Sequence, residues 1–252
     1  MTEQGVLPTW ILLRGLGRES GHWLDFRDLL AGALPGRTIE CIDWPGNGEF
    51  VSMPSPCSIG AGVEQVRAVC AQRGLKPPYV LVGISMGGMA ALHWLTHYPD
   101  EILHAHIINT SVGGISYWYE RMRVTAMLRL ALVVASDHAR EMMVLRLTTS
   151  LCGDGADVVQ RWLTIAAQRP VSSANLARQM FSAVRFSQRK PTHIDCITLY
   201  VSADDRLVRP SCSRDIAKRW NVALREHPSA GHDLPLDDGG WLVDQMLCVS
   251  AH

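Results

Sequence analysis

Six short apolar runs punctuate the chain: TWILLRG (9–15), TIECIDW (38–44), YVLVGIS (79–85), HAHIINT (104–110), CITLYVS (196–202) and ALREHPS (223–229). Most are nearly continuous in apolar character rather than alternating, which is the pattern of strands covered on both faces of a parallel sheet. Between them, the stretches 22–33, 58–73, 87–98, 211–220 and 239–249 carry helical periodicity. Strand–helix alternation of this kind predicts a doubly wound α/β sheet. One segment breaks the rhythm. Residues 112–190 contain no strand-like run and read as three or four helices, over 116–135, 138–151, 156–168 and 172–187. The expected organisation is therefore an α/β core made of 1–111 and 191–252, with an all-helical cap, or lid, inserted at 112–190. No repeat or low-complexity tract interrupts it.

Composition changes this picture little. At 252 residues and 47% hydrophobic, the chain can bury one sizeable core plus an insertion. The 24 basic and 24 acidic residues cancel, so global charge points to neither a nucleic-acid partner nor an anionic membrane. Its distribution is uneven, however. The cap carries 11 Arg and Lys against 5 Asp and Glu, a net +6 that leaves the core at −6. The 7 cysteines are odd in number and show no CxxC spacing, which reads as reduced thiols. No stretch is apolar enough for a bilayer span or patterned as a signal peptide, so a cytoplasmic protein is expected.

The strongest chemical signal lies where the third apolar run meets a helix. Gly83-Ile84-Ser85-Met86-Gly87 is a G-x-S-x-G sequence in strand–turn–helix context. A sharp turn there strains the serine backbone and presents its Oγ outward, and small flanking residues are needed where strand and helix backbones nearly touch. The context favours a nucleophile over a bystander serine in a glycine turn. Such a serine needs a base, and the base needs a third group to hold it. Ten histidines compete. His93 and His97 share a helix face, but HWLTH lacks the glutamate of a zinc hydrolase and a third ligand, so no metal is expected. His104 and His106 fall on one face of a strand and read as structural. His22, near the first loop, is placed to line a pocket rather than to act as the base. His232 is different: it lies in SAGHDLPLDD, a glycine-containing loop after the last strand and close to the C-terminus. For the acid, IINTSVGG after the fourth strand offers no carboxylate, whereas VSADDRLV after the fifth offers Asp204 and Asp205.

Four stretches in this order, RGLG, DWPGNG, GISMGG and SADDRLV with GHD, resemble those of α/β-hydrolase-fold serine hydrolases. RGLGRESGHW with GHDLPLDD further resembles a bacterial esterase-like subgroup. The resemblance implies a six-stranded, mainly parallel sheet in spatial order 2-1-3-4-5-6. It implies Ser85 as nucleophile, His232 as base and Asp205 as acid, since the family's acid stands three residues before an aliphatic position, here Val208. It also implies an oxyanion hole formed by the backbone N–H groups of Leu16 and Met86. Arg14 stands where the family has histidine. If buried, that arginine needs a carboxylate, and Asp43 at the adjacent strand end is the expected one.

Other chemistries fit less well. GLGRESG has glycine spacing G-x-G-x-x-x-G, not the dinucleotide fingerprint, and no Tyr-x-x-x-Lys pair occurs. The serine excludes enzymes that use an aspartate nucleophile at this position. Thioesterases, carbon–carbon bond hydrolases, perhydrolases and non-catalytic receptors share the three residues and stay open. The expected function is hydrolysis of a carboxylic ester of a small to medium apolar acyl group, without cofactor, by a monomer or weak dimer. His22, Trp118, Met122, Met142, Trp162 and Met180 are candidates for the acyl pocket, since methionines adapt to irregular apolar shapes. Helix–helix packing explains each of them equally well. The basic cap is a candidate surface for an acidic carrier protein.

Overall fold

The central runs are largely apolar on both faces, and they form a sheet buried on both sides. A computed structural model describes residues 7–132, 136–153 and 155–250. Its strands are Thr9–Leu13 (β1), Ile39–Cys41 (β2), Tyr79–Ile84 (β3), Ile102–Ile108 (β4), Ile197–Ser202 (β5) and Ala223–His227 (β6). All pair in parallel, in the order β2-β1-β3-β4-β5-β6, as the resemblance implied. Successive side chains alternate between two apolar layers. Ile11, Leu13, Leu81, Ile107 and Leu199 pack on one face, under helices Ile59–Gln72 (α2), Met86–His97 (α3) and Ser211–Trp220 (α9). Trp10, Leu12, Val80, Val82, Ile108 and Tyr200 pack on the other, with Phe26–Ala33 (α1) and Gly239–Ser250 (α11).

Between β4 and β5 the described residues form five helices: Trp118–Arg121 (α4), Val124–Leu132 (α5), Asp137–Thr148 (α6), Ala156–Gln168 (α7) and Ser173–Arg185 (α8). The single helix expected over 116–135 is broken at Met122 and Arg123, and residues 133–135 lie outside the described residues. Tertiary hydrogen bonds cause the break. The Arg123 N–H donates to the Leu207 carbonyl at 2.9 Å, and the Arg209 N–H donates to the Glu120 carbonyl at 2.9 Å. The chain leaves helical geometry to bond the loop after β5. The short helix Leu234–Asp237 (α10) follows the last strand. Among the described residues, no helix is long and apolar enough to cross a membrane.

The two strand histidines sit within the sheet's packing. His106 stacks on Trp10 with ring centroids 5.4 Å apart and its Nδ1 meets the Tyr200 hydroxyl at 2.9 Å. His104 Nε2 meets Thr198 Oγ1 at 3.0 Å. The reading of both as structural therefore fits, although His106 Nε2 has no hydrogen-bond partner among the described residues. Burial pushes His104 down to about 4 and holds His106 well below the ordinary histidine range, helped by repulsion from His104. His93, beside His97 on α3, is pushed down to about 4 by burial and that neighbour. Unfolded histidines titrate near 6.5, so below that pH the unfolded chain binds protons that the native chain refuses. The stabilisation is complete above about pH 6.5 and is lost as pH falls toward 4. Urea unfolding should therefore show stability declining from about pH 6.5 to 5. His104→Gln should flatten that slope by about one proton, and an unchanged slope would show that His104 titrates alike in both states.

Candidate active site

One residue, Ser85, separates the end of β3 from the start of α3. Its backbone lies at φ 56°, ψ −116°, a conformation that costs a side-chain-bearing residue about 1–3 kcal/mol. The surroundings hold it there. Its N–H donates to the Ile108 carbonyl at 2.8 Å, and its own carbonyl accepts from Thr110 Oγ1 at 2.8 Å. The crossing is tight enough that a Cβ on Gly87 would overlap the Leu13 carbonyl, and one on Gly83 would overlap the Gly87 peptide. The glycine pattern in the sequence thus has the steric cause inferred for it.

The loop after β1 lies directly against this serine. A Cβ placed on Gly15 would sit 3.3 Å from Ser85 Cβ and 3.8 Å from its Oγ. The Arg18 N–H donates to the Gly15 carbonyl at 3.2 Å, closing a turn. Because a peptide's C=O and N–H point in opposite directions, this bond turns the Leu16 N–H away from the turn interior. Met86 supplies the first N–H of α3, which has no partner within its own helix. Neither the Leu16 nor the Met86 N–H donates a hydrogen bond within the described residues.

The adjacent aspartates separate as the strand geometry demands. Asp204 is exposed and Asp205 is buried. Asp205 Oδ1 accepts the N–H groups of Leu207 and Val208, both at 2.8 Å. Its Oδ2 accepts from His232 Nδ1 at 2.6 Å, a charge-assisted length. With Nδ1 so engaged, the protonatable Nε2 is the imidazole's other edge, and it makes no hydrogen bond within the described residues. A residue missed in the sequence holds the histidine's backbone. Asn109, at the end of β4 with φ 46°, donates from Nδ2 to the His232 carbonyl at 2.8 Å and to Ser202 Oγ at 2.9 Å. Its Oδ1 accepts the Ser202 N–H at 2.9 Å. A search for carboxylates passed over it, although an asparagine at a strand end is well suited to this left-handed conformation.

Arg14 is buried, but Asp43 is not its partner. Asp43 already accepts the N–H groups of Ser20 at 2.5 Å and Glu49 at 2.9 Å. Arg14 instead grips Asp233 with both terminal nitrogens, at 3.1 and 2.6 Å, and lies 4.9 Å from the Trp23 ring centroid. Arg18 points the other way, toward the helical insertion. It lies 2.8 Å from Glu141, 4.2 Å from the Trp162 ring centroid and 3.0 Å from His22 Nε2. Burial, together with Arg18 and Arg14, holds His22 well below its ordinary range. The Glu19 N–H also donates to its Nδ1 at 3.1 Å, which further disfavours a second proton on this ring.

The proposed pocket residues do not converge. His22 and Trp162 meet, with ring centroids 6.1 Å apart, but Trp162 is buried in a cluster with Leu145 and Val159 against which Met142 packs. Trp118 is 69% exposed and packs edge-on to Tyr119 at the surface, which places it outside any enclosed pocket. Met122 and Met180 are half-buried. Among the described residues, no cluster of histidine, cysteine or carboxylate side chains could hold a metal ion.

The model of the family described as "Alpha/beta hydrolase family" matches residues 10–245. A pimeloyl-[acyl-carrier protein] methyl ester esterase of Xylella fastidiosa is 30% identical over 96 residues, covering 38% of this chain and 34% of that protein. Monoacylglycerol lipase ABHD6 of Bos taurus is 29% identical over 115 residues, covering 45% and 33%. The chain thus spans about a third of the length of these curated relatives. The crystal structure of a hydrolase from Pseudomonas aeruginosa PA01 superposes with a TM-score of 0.75 at 17% identity, over 98% of this chain and 91% of that one.

The Arg14–Asp233 pair generates a stability prediction. Removing one partner strands the other's charge in the interior, so Arg14→Ala should cost about 3–5 kcal/mol. Replacing both with apolar residues of similar volume, Arg14→Met with Asp233→Leu, should recover most of that loss. Urea denaturation of the three proteins checks this, and a double variant no more stable than Arg14→Ala would contradict it.

Proposed function

This chain belongs to the alpha/beta hydrolase family, and from that premise we propose that it hydrolyses a carboxylic ester of a small to medium apolar acyl group through an acyl-enzyme on Ser85. The observation that carries this reading is the 2.6 Å bond between His232 Nδ1 and Asp205, taken with a serine held in a strained strand-to-helix turn. In the proposed reaction, Ser85 Oγ attacks the ester carbonyl while His232 Nε2 takes its proton. Asp205 stabilises the resulting imidazolium and fixes the tautomer. The N–H groups of Leu16 and Met86 receive the oxyanion, each worth a few kcal/mol in the transition state. The imidazolium then protonates the departing alkoxide. Water, deprotonated by His232, attacks the acyl-enzyme, and collapse of the second tetrahedral adduct releases the carboxylic acid and restores Ser85. Ser85 Oγ makes no hydrogen bond to His232 within the described residues, in keeping with nucleophile–base contacts that tighten only around substrate.

Residues 112–190 serve in this reading as a cap that walls the acyl site. Its +6 charge favours a narrower second reading, in which the acyl group arrives on an acidic carrier protein. The similarity to an esterase whose name specifies a carrier-bound methyl ester is in keeping with that.

A panel of p-nitrophenyl esters tests the reaction. Wild type should turn over short and medium acyl chains, and a fluorophosphonate probe should label Ser85. Ser85→Ala should abolish both. Asp205→Asn should lower kcat by about 10⁴, whereas Asp204→Asn should leave it unchanged. Turnover that survives Ser85→Ala would refute the mechanism. A wild type that neither turns over nor takes the probe would instead mark a non-catalytic receptor on this fold.

A further inference from the structure

The helix that closes the insertion carries two amide side chains, Asn175 and Gln179, one turn apart and both buried. A buried primary amide is costly unless its donors and its acceptor are all matched, and Gln179, fully excluded from solvent, is matched completely. Its Oε1 accepts the Gly17 N–H at 2.8 Å. Its Nε2 donates to Asn47 Oδ1 at 2.7 Å and to Ser55 Oγ at 3.0 Å. Asn47 in turn donates from Nδ2 to the Arg18 carbonyl at 2.9 Å. The Gly17 N–H and the Arg18 C=O are therefore gripped by two amides that also grip each other, and the cycle closes on the turn that presents the Leu16 N–H.

Asn175 makes a comparable network aimed elsewhere. Its Oδ1 accepts the Ser55 N–H at 2.9 Å, and its Nδ2 donates to the Met53 carbonyl at 3.0 Å and the Gly46 carbonyl at 3.3 Å. All of its partners lie in the loop after β2. None lies in residues 14–18. One helix thus offers two buried amides of the same chemistry, of which only one touches the loop beside Ser85.

We infer that Gln179 is a positioning residue. From the helical insertion, it orients the Leu16–Gly17 peptide and thereby the Leu16 N–H that receives the oxyanion. The inference rests on the serine-hydrolase reading above. It also makes α8 a fixed wall of the site rather than part of a lid that swings clear, since lifting the helix would strand the Gly17 N–H, Asn47 Oδ1 and the Ser55 N–H without partners.

The test compares Gln179→Met, Gln179→Glu and Asn175→Ala with wild type on p-nitrophenyl acetate, well below each protein's Tm. Gln179→Met removes the acceptor for Gly17 and should lower kcat about 10- to 100-fold with KM within about twofold, the signature of a loss felt in the transition state. Gln179→Glu keeps a carboxylate oxygen for Gly17 and should retain more of kcat. Asn175→Ala should lower Tm and leave kcat unchanged. Amide hydrogen exchange at Gly17 gives a readout independent of turnover, expected to accelerate in Gln179→Met and to stay at the wild-type rate in Asn175→Ala. Equal kcat in Gln179→Met and wild type, or equal losses in Gln179→Met and Asn175→Ala, would overturn the inference. If wild type itself is inert on esters, the reading of function fails on its own, and unchanged Gly17 exchange in Gln179→Met would then overturn the positioning role separately.

Discussion

A buried guanidinium facing a buried carboxylate is the interaction on which the arrangement of this site depends. Arg14 leaves β1 and Asp233 follows β6, and in the sheet those strands stand four positions apart, roughly 19 Å at the usual strand spacing. Both loops must fold across the carboxyl ends of β3, β4 and β5 to meet. A single hydrogen bond between neutral groups, worth about 1 kcal/mol net, would be a weak reason to fix two loops across that span. The ion pair differs because its alternative is so poor. Either charge left alone in the interior costs several kcal/mol, so the pair resists separation more strongly than its net contribution suggests. Arginine suits the place better than lysine would, since its planar fork meets both oxygens of Asp233 at once. The loop facing Ser85 and the loop carrying His232 are thereby registered to each other.

Around that pair, the sheet positions and the polar ties orient. The parallel strands deliver Ser85, Asn109, Asp205 and His232 to one edge, the edge where open α/β sheets place their chemistry. Asn109 then fixes the His232 backbone from the neighbouring strand end, while Asp205 fixes its ring. The insertion contributes on the same terms. Asp237 accepts the N–H groups of Gly231, Ser150 and Leu151, joining the histidine loop to the end of α6, and the Asp233 N–H donates to the Thr148 carbonyl at 2.7 Å. Burial raises Asp237 above its ordinary range although three backbone donors pull the other way. The ends of β4 and β5, the histidine loop and the end of α6 therefore share one hydrogen-bonded scaffold.

What was legible in the sequence is what depends on local pattern. Continuous apolar runs marked the strands, G-x-S-x-G marked the turn, and the loop after the fifth run narrowed the acid to Asp204 or Asp205. Partnership at long range was not legible. Asp43 was the nearest carboxylate along the sheet to Arg14, yet two backbone N–H groups had already claimed its oxygens, and the true partner lies 219 residues away in sequence. Asn109 and Gln179 escaped notice because neutral amides are matched by geometry, which periodicity does not encode. The 116–135 helix was misjudged for a related reason. Its intrinsic pattern is helical, but the hydrogen bonds of Glu120 and Arg123 to the loop after β5 outweigh one more helical turn. Trp118 and Trp162 look alike in the sequence, and only packing separates the surface ring from the core one.

The substitution of arginine for the family's histidine in the first loop need not alter the field at Ser85. Two guanidinium groups, Arg14 and Arg18, flank Gly15–Gly17, and unpaired they would place two positive charges near Ser85. Each arrives with its own carboxylate: Asp233 from the histidine loop and Glu141 from the insertion. Their fields largely cancel at distances beyond the pair separation, and the neutral His22 between them adds no charge. In the proposed reaction, stabilisation of a developing oxyanion then falls to oriented backbone N–H groups, which need no protonation state to be correct. The arginines supply stiffness in place of charge, and the glycines between them let that stiffness reach within contact distance of Ser85.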